Sequence, residues 1–344
     1  MKCTDFNFHY LMRQFTRRTR LYTEMVVDDT ILHQLDNLKR FLGYNKSTHP
    51  LTVQLGGNNP EKLAKVAKIC EEWGFEEIDL NVGCPSPRVS RSCFGARLML
   101  NPEVVRDCCT AMRRAVSVPV TVKCRLGADN VDKYEDLVNF VKVVNESGVT
   151  HYIVHARKCH LDGLNPAQNR SVPPLMYDRV YRLAADFPEN EFSINGGILT
   201  LEDALAHRRP NKKRKAGEPT PPHPLQLRGV MVGRGAWNDP FSFADADRVV
   251  YGDKNPGLSR RQAVEKYLEY AEFCLGANPK KREMNVMARP LVNLFNGDQG
   301  CRGWRRFLND AFNIENRLDF RSVILEGIAQ NVPDEVLDRT FPVE

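Results

Sequence analysis

Residues 51–85, LTVQLGGNNPEKLAKVAKICEEWGFEEIDLNVGCP, hold one complete strand–helix–strand unit. Leu51–Leu55 and Glu77–Val82 are short, largely apolar runs, and runs of about 4–8 residues of this kind read as buried parallel strands. Between them Pro60–Trp73 has helical period. Asn59 stands where an N-cap belongs and Pro60 at the first turn, where a missing N–H costs nothing. The same alternation runs outward in both directions. Further strands are predicted at Leu21–Val26, Val118–Cys124, His151–His155, Glu191–Ile194 and Gly229–Val232. Further helices are predicted at Thr30–Phe41, Pro102–Val116 (capped by Asn101), Tyr134–Ser147, Tyr177–Phe187 and Leu201–His207, the last with Thr200 and Asp203 as an imperfect capping box. Strand–helix alternation of this length means a parallel sheet, either doubly wound or closed as a (β/α)8 barrel.

Seven strand runs are present, preceded by a helical stretch at Phe8–Thr16. In a barrel that helix follows a strand, so the expectation is a TIM barrel whose first strand is missing from this chain. From Leu258 the pattern is helix only, at Arg260–Leu275, Lys281–Phe295, Cys301–Ala311 and Phe320–Ala329. The predicted division is a barrel over 1–255 and a small helical domain over 256–344. The segment Arg208–Pro224 is basic and Pro-rich, and is expected to be a disordered surface insertion. A localisation or RNA-contact role is the alternative reading of its charge run.

The chain has 344 residues, 42% hydrophobic and 27% charged, which excludes a wholly disordered chain, a collagen and a coiled coil. No run approaches the roughly 18 apolar residues of a membrane span. The net charge of +6 permits a polyanionic partner without requiring one. The ten cysteines form no C-x-x-C pair and no Cys/His cluster at zinc spacing. No metal site is expected, and a reducing compartment is the natural reading. The first residues, Met-Lys-Cys-Thr-Asp, contain no apolar signal core. The compartment itself, whether cytoplasm, plastid or mitochondrion, is not readable.

In a barrel, chemistry sits at the C-terminal ends of the strands. The polar residues at those ends are Gln54, Asn81 with Cys84, Lys123 with Arg125, His155 with Arg157, Asn195-Gly196-Gly197 and Gly233-Arg234. The turns after the last two strands are where a barrel holds phosphate, because glycines let backbone N–H groups approach the oxygens. Arg234 adds a possible bidentate contact. Lys123 in V-T-V-K needs an anionic or electron-rich partner, and an internal salt bridge is the plainer reading. His155 ends I-V-H, where a satisfied structural histidine is the plainer reading. Cys84 lies in N-V-G-C-P-S: Gly83 permits a tight turn and Pro85 stiffens it, so the thiol is held at the mouth, placed to act as a nucleophile or a proton donor.

At N-V-G-C-P-S-P-R-V (81–89), with F-G-A-R-L-M (94–99), the sequence resembles the tRNA-dihydrouridine synthases, and within them the bacterial-type A subfamily. L-Y-T-E-M-V (21–26), V-Q-L-G-G (53–57), P-V-T-V-K-C-R-L-G (119–127), V-H-A-R-K (154–158), S-I-N-G-G-I (193–198), V-M-V-G-R (230–234) and G-W-R-R-F-L (303–308) follow in family order. The resemblance implies an FMN-binding barrel with a C-terminal helical domain. It implies that Gln54, Lys123, His155, Asn195, Gly196, Gly197, Gly233 and Arg234 hold FMN, and that NADPH reduces it. It implies that a D-loop uridine of tRNA is flipped out and takes hydride at C6, while Cys84 protonates C5. Asn81, Arg157, Arg170, Arg302 and Arg305 are implied as tRNA contacts. Arg13, Arg17 and Arg20 are expected to share a helix face that extends the basic surface. The protein is expected to be a monomer. Competing readings are an FMN-barrel reductase of a small molecule and a non-catalytic tRNA-binding protein.

Overall fold

The computed structural model describes residues 3–86, 89, 92–208, 227–277, 279–312 and 319–344. The predicted insertion lies, apart from Arg208, outside the described residues.

The chain divides into two compact units. One comprises Tyr22–Gly43 and Leu51–Gly233, and the other Met1–Leu21, Tyr44–Pro50 and Arg234–Glu344. On the C-terminal side the division therefore falls at Arg234, ahead of the 255/256 division read from the pattern of elements, and the N-terminal helix is grouped with the C-terminal ones.

The sheet carries β1 (Leu21–Tyr22), β2 (Val26–Val27), β3 (Leu51–Gly56), β4 (Glu77–Asn81), β5 (Val120–Arg125), β6 (His151–His155), β7 (Glu191–Asn195) and β8 (Gly229–Met231). The neighbours run β1, β3, β4, β5, β6, β7, β8, with β2 also beside β3. The ladders from β2–β3 to β7–β8 are parallel, in registers such as Gln54 with Asp79, Asn81 with Lys123 and His155 with Asn195. This is the α/β barrel-type sheet expected, and among the described residues β8 has no second strand neighbour. The predicted strand Leu21–Val26 is two two-residue pieces, interrupted where Thr23 turns its hydroxyl onto Glu24 O (2.9 Å) and takes the backbone N–H of Gln54 (3.0 Å).

Helices form at most of the predicted positions. They are α1 (Phe6–Phe15), α2 (Asp28–Leu32), α3 (Leu38–Leu42), α4 (Pro60–Trp73), α5 (Pro102–Ala115), α6 (Tyr134–Asn145), α7 (Tyr177–Asp186) and α8 (Leu201–Arg208). Asn59 Oδ1 accepts Lys62 N at 3.0 Å. Thr200 and Asp203 cap α8 reciprocally, at 3.1 and 3.2 Å. Asn101 makes no side-chain cap on α5. The predicted helix Thr30–Phe41 is broken into α2, a 3-10 turn at Leu35–Asn37 and α3, because Gln34 and Asn37 leave helical dihedrals.

The second unit adds α9 (Arg234–Asn238), α10 (Arg260–Leu275), α11 (Lys281–Ala288), α12 (Cys301–Ala311), α13 (Phe320–Asn331) and α14 (Asp334–Asp338). The helix predicted over Lys281–Phe295 stops at Ala288 because Pro290 lacks the N–H it would need, and a 3-10 turn at Arg289–Asn293 takes over. α1 docks on α10 through the Tyr10–Tyr270 stack, with ring centroids 4.0 Å apart. The buried Arg260 guanidinium pairs with Asp298 at 2.5 Å and lies 3.8 Å from the Phe241 ring centroid. That satisfied cation fixes the turn that leads into α12.

Candidate active site

Successive side chains of a strand point to opposite faces. One face of the sheet is apolar: Val53, Leu55, Ile78, Leu80, Val122 and Cys124 are fully buried. The other face is polar in two layers. Toward the N-terminal strand ends, Thr52 Oγ1 and Tyr22 OH donate to Glu77 Oε1 at 2.9 and 3.2 Å, and His151 Nε2 bonds Ser193 Oγ at 2.9 Å. Toward the C-terminal ends lie Asp79, Gln54, Asn81, Lys123 and Asn195.

This upper layer holds two hydrogen-bonded paths. Thr121 Oγ1 donates to Asp79 Oδ1 (3.0 Å), and Gln54 Nε2 donates to Asp79 Oδ2 (2.7 Å). Asn81 Nδ2 donates to Gln54 Oε1 (2.7 Å), and Asn81 Oδ1 accepts Gly83 N (3.2 Å) and Cys84 N (2.9 Å). Across the same face Lys123 Nζ donates to Asn195 Oδ1 at 3.3 Å, and Asn195 Nδ2 donates to Met231 O at 2.8 Å. Burial pushes the Asp79 carboxyl up to about 7, against the opposing pull of the Gln54 bond and the Lys123 charge. Burial likewise pulls the Lys123 ammonium below its ordinary value, with Asp79 resisting. The charged form of Lys123 has thus lost part of its hydration, so its site suits an electron-rich or anionic partner.

Cys84 follows β4 on a braced turn. Arg125 Nε donates to Gly83 O at 2.8 Å, and Ala96 N donates to Cys84 O at 2.9 Å. Gly95, at φ +64, must be glycine, because a Cβ there would lie 2.6 Å from Cys84 O and 2.5 Å from Val89 Cγ1. None of the ten cysteines is in a disulfide, and Cys84 is half-buried. The thiols of Cys70, Cys108 and Cys124 are pushed up to about 12 by burial, so they are inert packing groups. Cys93 is exposed and sits at φ 58.

Gly196 and Gly197 form the turn after β7 at φ +111 and +71. A Cβ on Gly196 would lie 2.5 Å from the His155 ring, and one on Gly197 would lie 2.9 Å from Tyr177 OH. Tyr177 OH in turn donates to Gly196 O at 2.6 Å. Gly233, after β8, is exposed, and a Cβ there would meet nothing within 4 Å, so its backbone is open to approach. Arg125 is buried and donates to Lys158 O and Asn169 O, both at 3.1 Å. Burial pulls its guanidinium below the ordinary value. Arg157 is buried, with Nη1 on Pro173 O, whereas Arg170 is exposed.

The remaining predicted residues lie in the other unit. Arg234 is the exposed first residue of α9. Arg302 is exposed on α12, and Arg305, half-buried, donates to Asn296 Oδ1 at 2.7 Å. Between them Trp304 is fully buried and donates to Leu291 O at 2.9 Å. The basic face expected from Arg13, Arg17 and Arg20 is not formed. Helix α1 ends at Phe15, and Arg13 is buried, giving its donors to Thr48 O (2.9 Å), Thr16 O (2.8 Å) and Thr19 O (3.0 Å).

Sequence reasoning missed Asp79 and Thr121, both fully or almost fully buried. Their signal was the period of two: Glu77, Asp79 and Asn81 are all polar in β4, as Thr121, Lys123 and Arg125 are in β5. That pattern marks a polar inner face that an average over the run conceals.

The donors at the mouth suit a flavin. Lys123, Gln54 and Asn195 present polar groups fit for a ring rich in carbonyl and imine acceptors. The open backbone of Gly233 and the glycine turn at 196–197 suit a phosphate. The fold and these groups define a cofactor-dependent oxidoreductase of the α/β-barrel class. The chain belongs to the dihydrouridine synthase (Dus) family, whose model matches residues 1–331, and whose members are flavin-dependent oxidoreductases. It is 43% identical over 311 residues to a tRNA-dihydrouridine(20/20a) synthase of Synechocystis, covering 90% of this chain and 87% of that protein. A protein of the same name from Shewanella oneidensis is 43% identical over 333 residues, covering 95% and 93% respectively. One from Vibrio parahaemolyticus is 42% identical over 308 residues, covering 89% and 88%.

Proposed function

We propose that the chain reduces uridine at the 20/20a positions of the tRNA D-loop to 5,6-dihydrouridine, with FMN as its flavin and NADPH as reductant. The observation that carries this reading is a thiol, Cys84, held at the end of β4 by Asn81, on the same polar face as Gln54, Lys123 and Asn195. FMN, when bound, supplies the hydride chemistry.

The chain's own residues then do the rest. Lys123 places a partly desolvated cation against electron density that grows on reduction. Asn195 keeps Lys123 in place and Gln54 offers an amide. Gly197 and Gly233 open the backbone for the phosphate. Cys84 gives its proton to C5 of a uridine that is flipped out, since that carbon is not reachable inside a stacked loop. A thiol suits this step because its ordinary pKa of about 8.5 lets it donate and be re-protonated near neutral pH. Arg170 and, in the helical unit, Arg302 and Arg305 are assigned to tRNA phosphates and bases. Ten cysteines with no disulfide support a reducing compartment.

The test is to purify the chain, identify its bound flavin by mass, and follow reoxidation of the NADPH-reduced protein by unmodified tRNA. Dihydrouridine at 20/20a by mass mapping is the expected result. Turnover of a small-molecule enoate or pyrimidine with no effect of tRNA would favour the small-molecule reductase.

A further inference from the structure

Asp79 lies beneath the mouth, fully buried, and nothing in the proposed chemistry uses it. Its bonds have a direction. The backbone N–H groups of Gly83 and Cys84 can only donate, so Asn81 must turn Oδ1 toward them. That leaves Asn81 Nδ2 to face Gln54, which must therefore show Oε1. Gln54 Nε2 is then a donor pointing down, and Asp79 Oδ2 accepts it at 2.7 Å. A side-chain amide can flip between two similar shapes; the turn's N–H groups dictate which way these two face, and an acceptor at the far end holds Gln54 in that pose. One end is the backbone of the Cys84 turn and the other is Asp79. Oδ2 is an acceptor whether the carboxyl is ionised or carries its proton on Oδ1 beside Thr121.

We infer that Asp79 is a positioning residue, which holds the Gln54 and Asn81 amides in the orientation the cysteine turn requires and so steadies the backbone of that turn. Its bearing on catalysis rests on the reading of Cys84 as proton donor; its structural content does not. A glutamine and an asparagine that serve only as separate ligand contacts would not need a buried acceptor behind the glutamine. The path requires one.

The experiment reads hydrogen exchange at the Gly83 and Cys84 amides, resolved by fragmentation mass spectrometry, in the full chain. The variants are Asp79→Asn, Asp79→Ala, Gln54→Met and the double Asp79→Ala/Gln54→Met. Losing one net hydrogen bond corresponds to exchange about three- to tenfold faster. Asp79→Ala and Gln54→Met should each show it, and the double variant should show no more than either, because both cut one path. Asp79→Asn keeps an acceptor and should retain wild-type protection. Should Asp79→Ala not fold, Gln54→Met and Asp79→Asn still decide. Unchanged exchange in Gln54→Met, additive effects in the double variant, or equal losses in Asp79→Asn and Asp79→Ala would each overturn the inference. Dihydrouridine formation is measured on the same proteins, with kcat expected to fall in Asp79→Ala and recover in Asp79→Asn. A wild-type chain that makes no dihydrouridine would sink the functional reading, while the exchange data would still judge the path.

Discussion

The backbone N–H of Cys84 donates to the side-chain oxygen of Asn81 at 2.9 Å, so the residue that bears the thiol is tied to the last residue of its own strand. A loop closed on its strand in this way inherits the rigidity of the sheet. With Arg125 on Gly83 O and Ala96 on Cys84 O, the turn is held from three sides. The thiol is therefore positioned by framework residues, and removing the sulfur alone should leave that framework intact.

Cys84→Ala should accordingly keep flavin and tRNA binding and lose most dihydrouridine formation. A positioned general acid contributes about 10²–10⁴-fold, and a loss in that range is expected. Single-turnover reoxidation of the reduced protein by tRNA measures it. An unchanged rate would remove Cys84 from the mechanism, and Cys93 would be the next thiol to examine.

Stability should fall as pH rises through the range set by Asp79. Its folded carboxyl is raised to about 7 from 3.8, so between these values the folded state holds a proton that the unfolded state has released. Protonation then favours the fold, and stability declines from about pH 4 to about pH 7. Lys123, lowered by burial, acts below the ordinary lysine value and with the opposite slope. Asp79→Asn should flatten the acid-side decline. Urea melts of both proteins at a series of pH values would show it, and parallel curves would refute it.

Gly196→Ala and Gly163→Ala separate backbone strain from collision. Both glycines have positive φ, +111 and +82, but a Cβ on Gly196 would meet the His155 ring at 2.5 Å, whereas one on Gly163 would meet nothing within 4 Å. Gly163→Ala should cost about 1–2 kcal/mol, the price of left-handed backbone alone. Gly196→Ala should cost more and should also weaken flavin binding by displacing His155. Denaturation midpoints together with flavin titration check both. Equal costs with normal flavin affinity would mean the turn adapts freely.

How much of this was legible depended on whether the cause was local. Pro60–Trp73 has the bounds its period, cap and starting proline predicted, because such signals act within one turn, and Arg260–Leu275 and Cys301–Ala311 have the bounds their period alone predicted. Thr30–Phe41 failed where exposed polar residues left little helical face to bury, and Lys281–Phe295 failed at a proline that local chemistry could have flagged. Arg13 was not legible: its acceptors include Thr48 O, thirty-five residues away, and only the tertiary fold makes a guanidinium's burial tolerable. The mouth residues were visible as polar ends on apolar strands. Asp79 was hidden because its partners Gln54 and Thr121 come from two other strands, so its role exists only in the assembled register.

The helical unit offers the sharpest test of RNA contact, because α12 separates its packing face from its charged one. Trp304 is fully buried and packs edge-on against Phe295, with ring centroids 5.4 Å apart. Arg302 projects to solvent, and Arg305 is half-buried against Asn296. Arg302→Ala should therefore leave the denaturation midpoint unchanged, while Arg305→Ala should lower it slightly through the lost Asn296 bond, by about 0.5–1.5 kcal/mol. If these side chains meet tRNA phosphates, the double variant should weaken binding and flatten its salt dependence. Each lost contact should lower the log–log slope by about 0.7–0.9. Flavin reduction by NADPH should proceed normally, since neither arginine belongs to the sheet unit. Filter binding of unmodified tRNA across a salt series gives the slope. A slope equal to the wild type's would confine both arginines to the structure of their own helix.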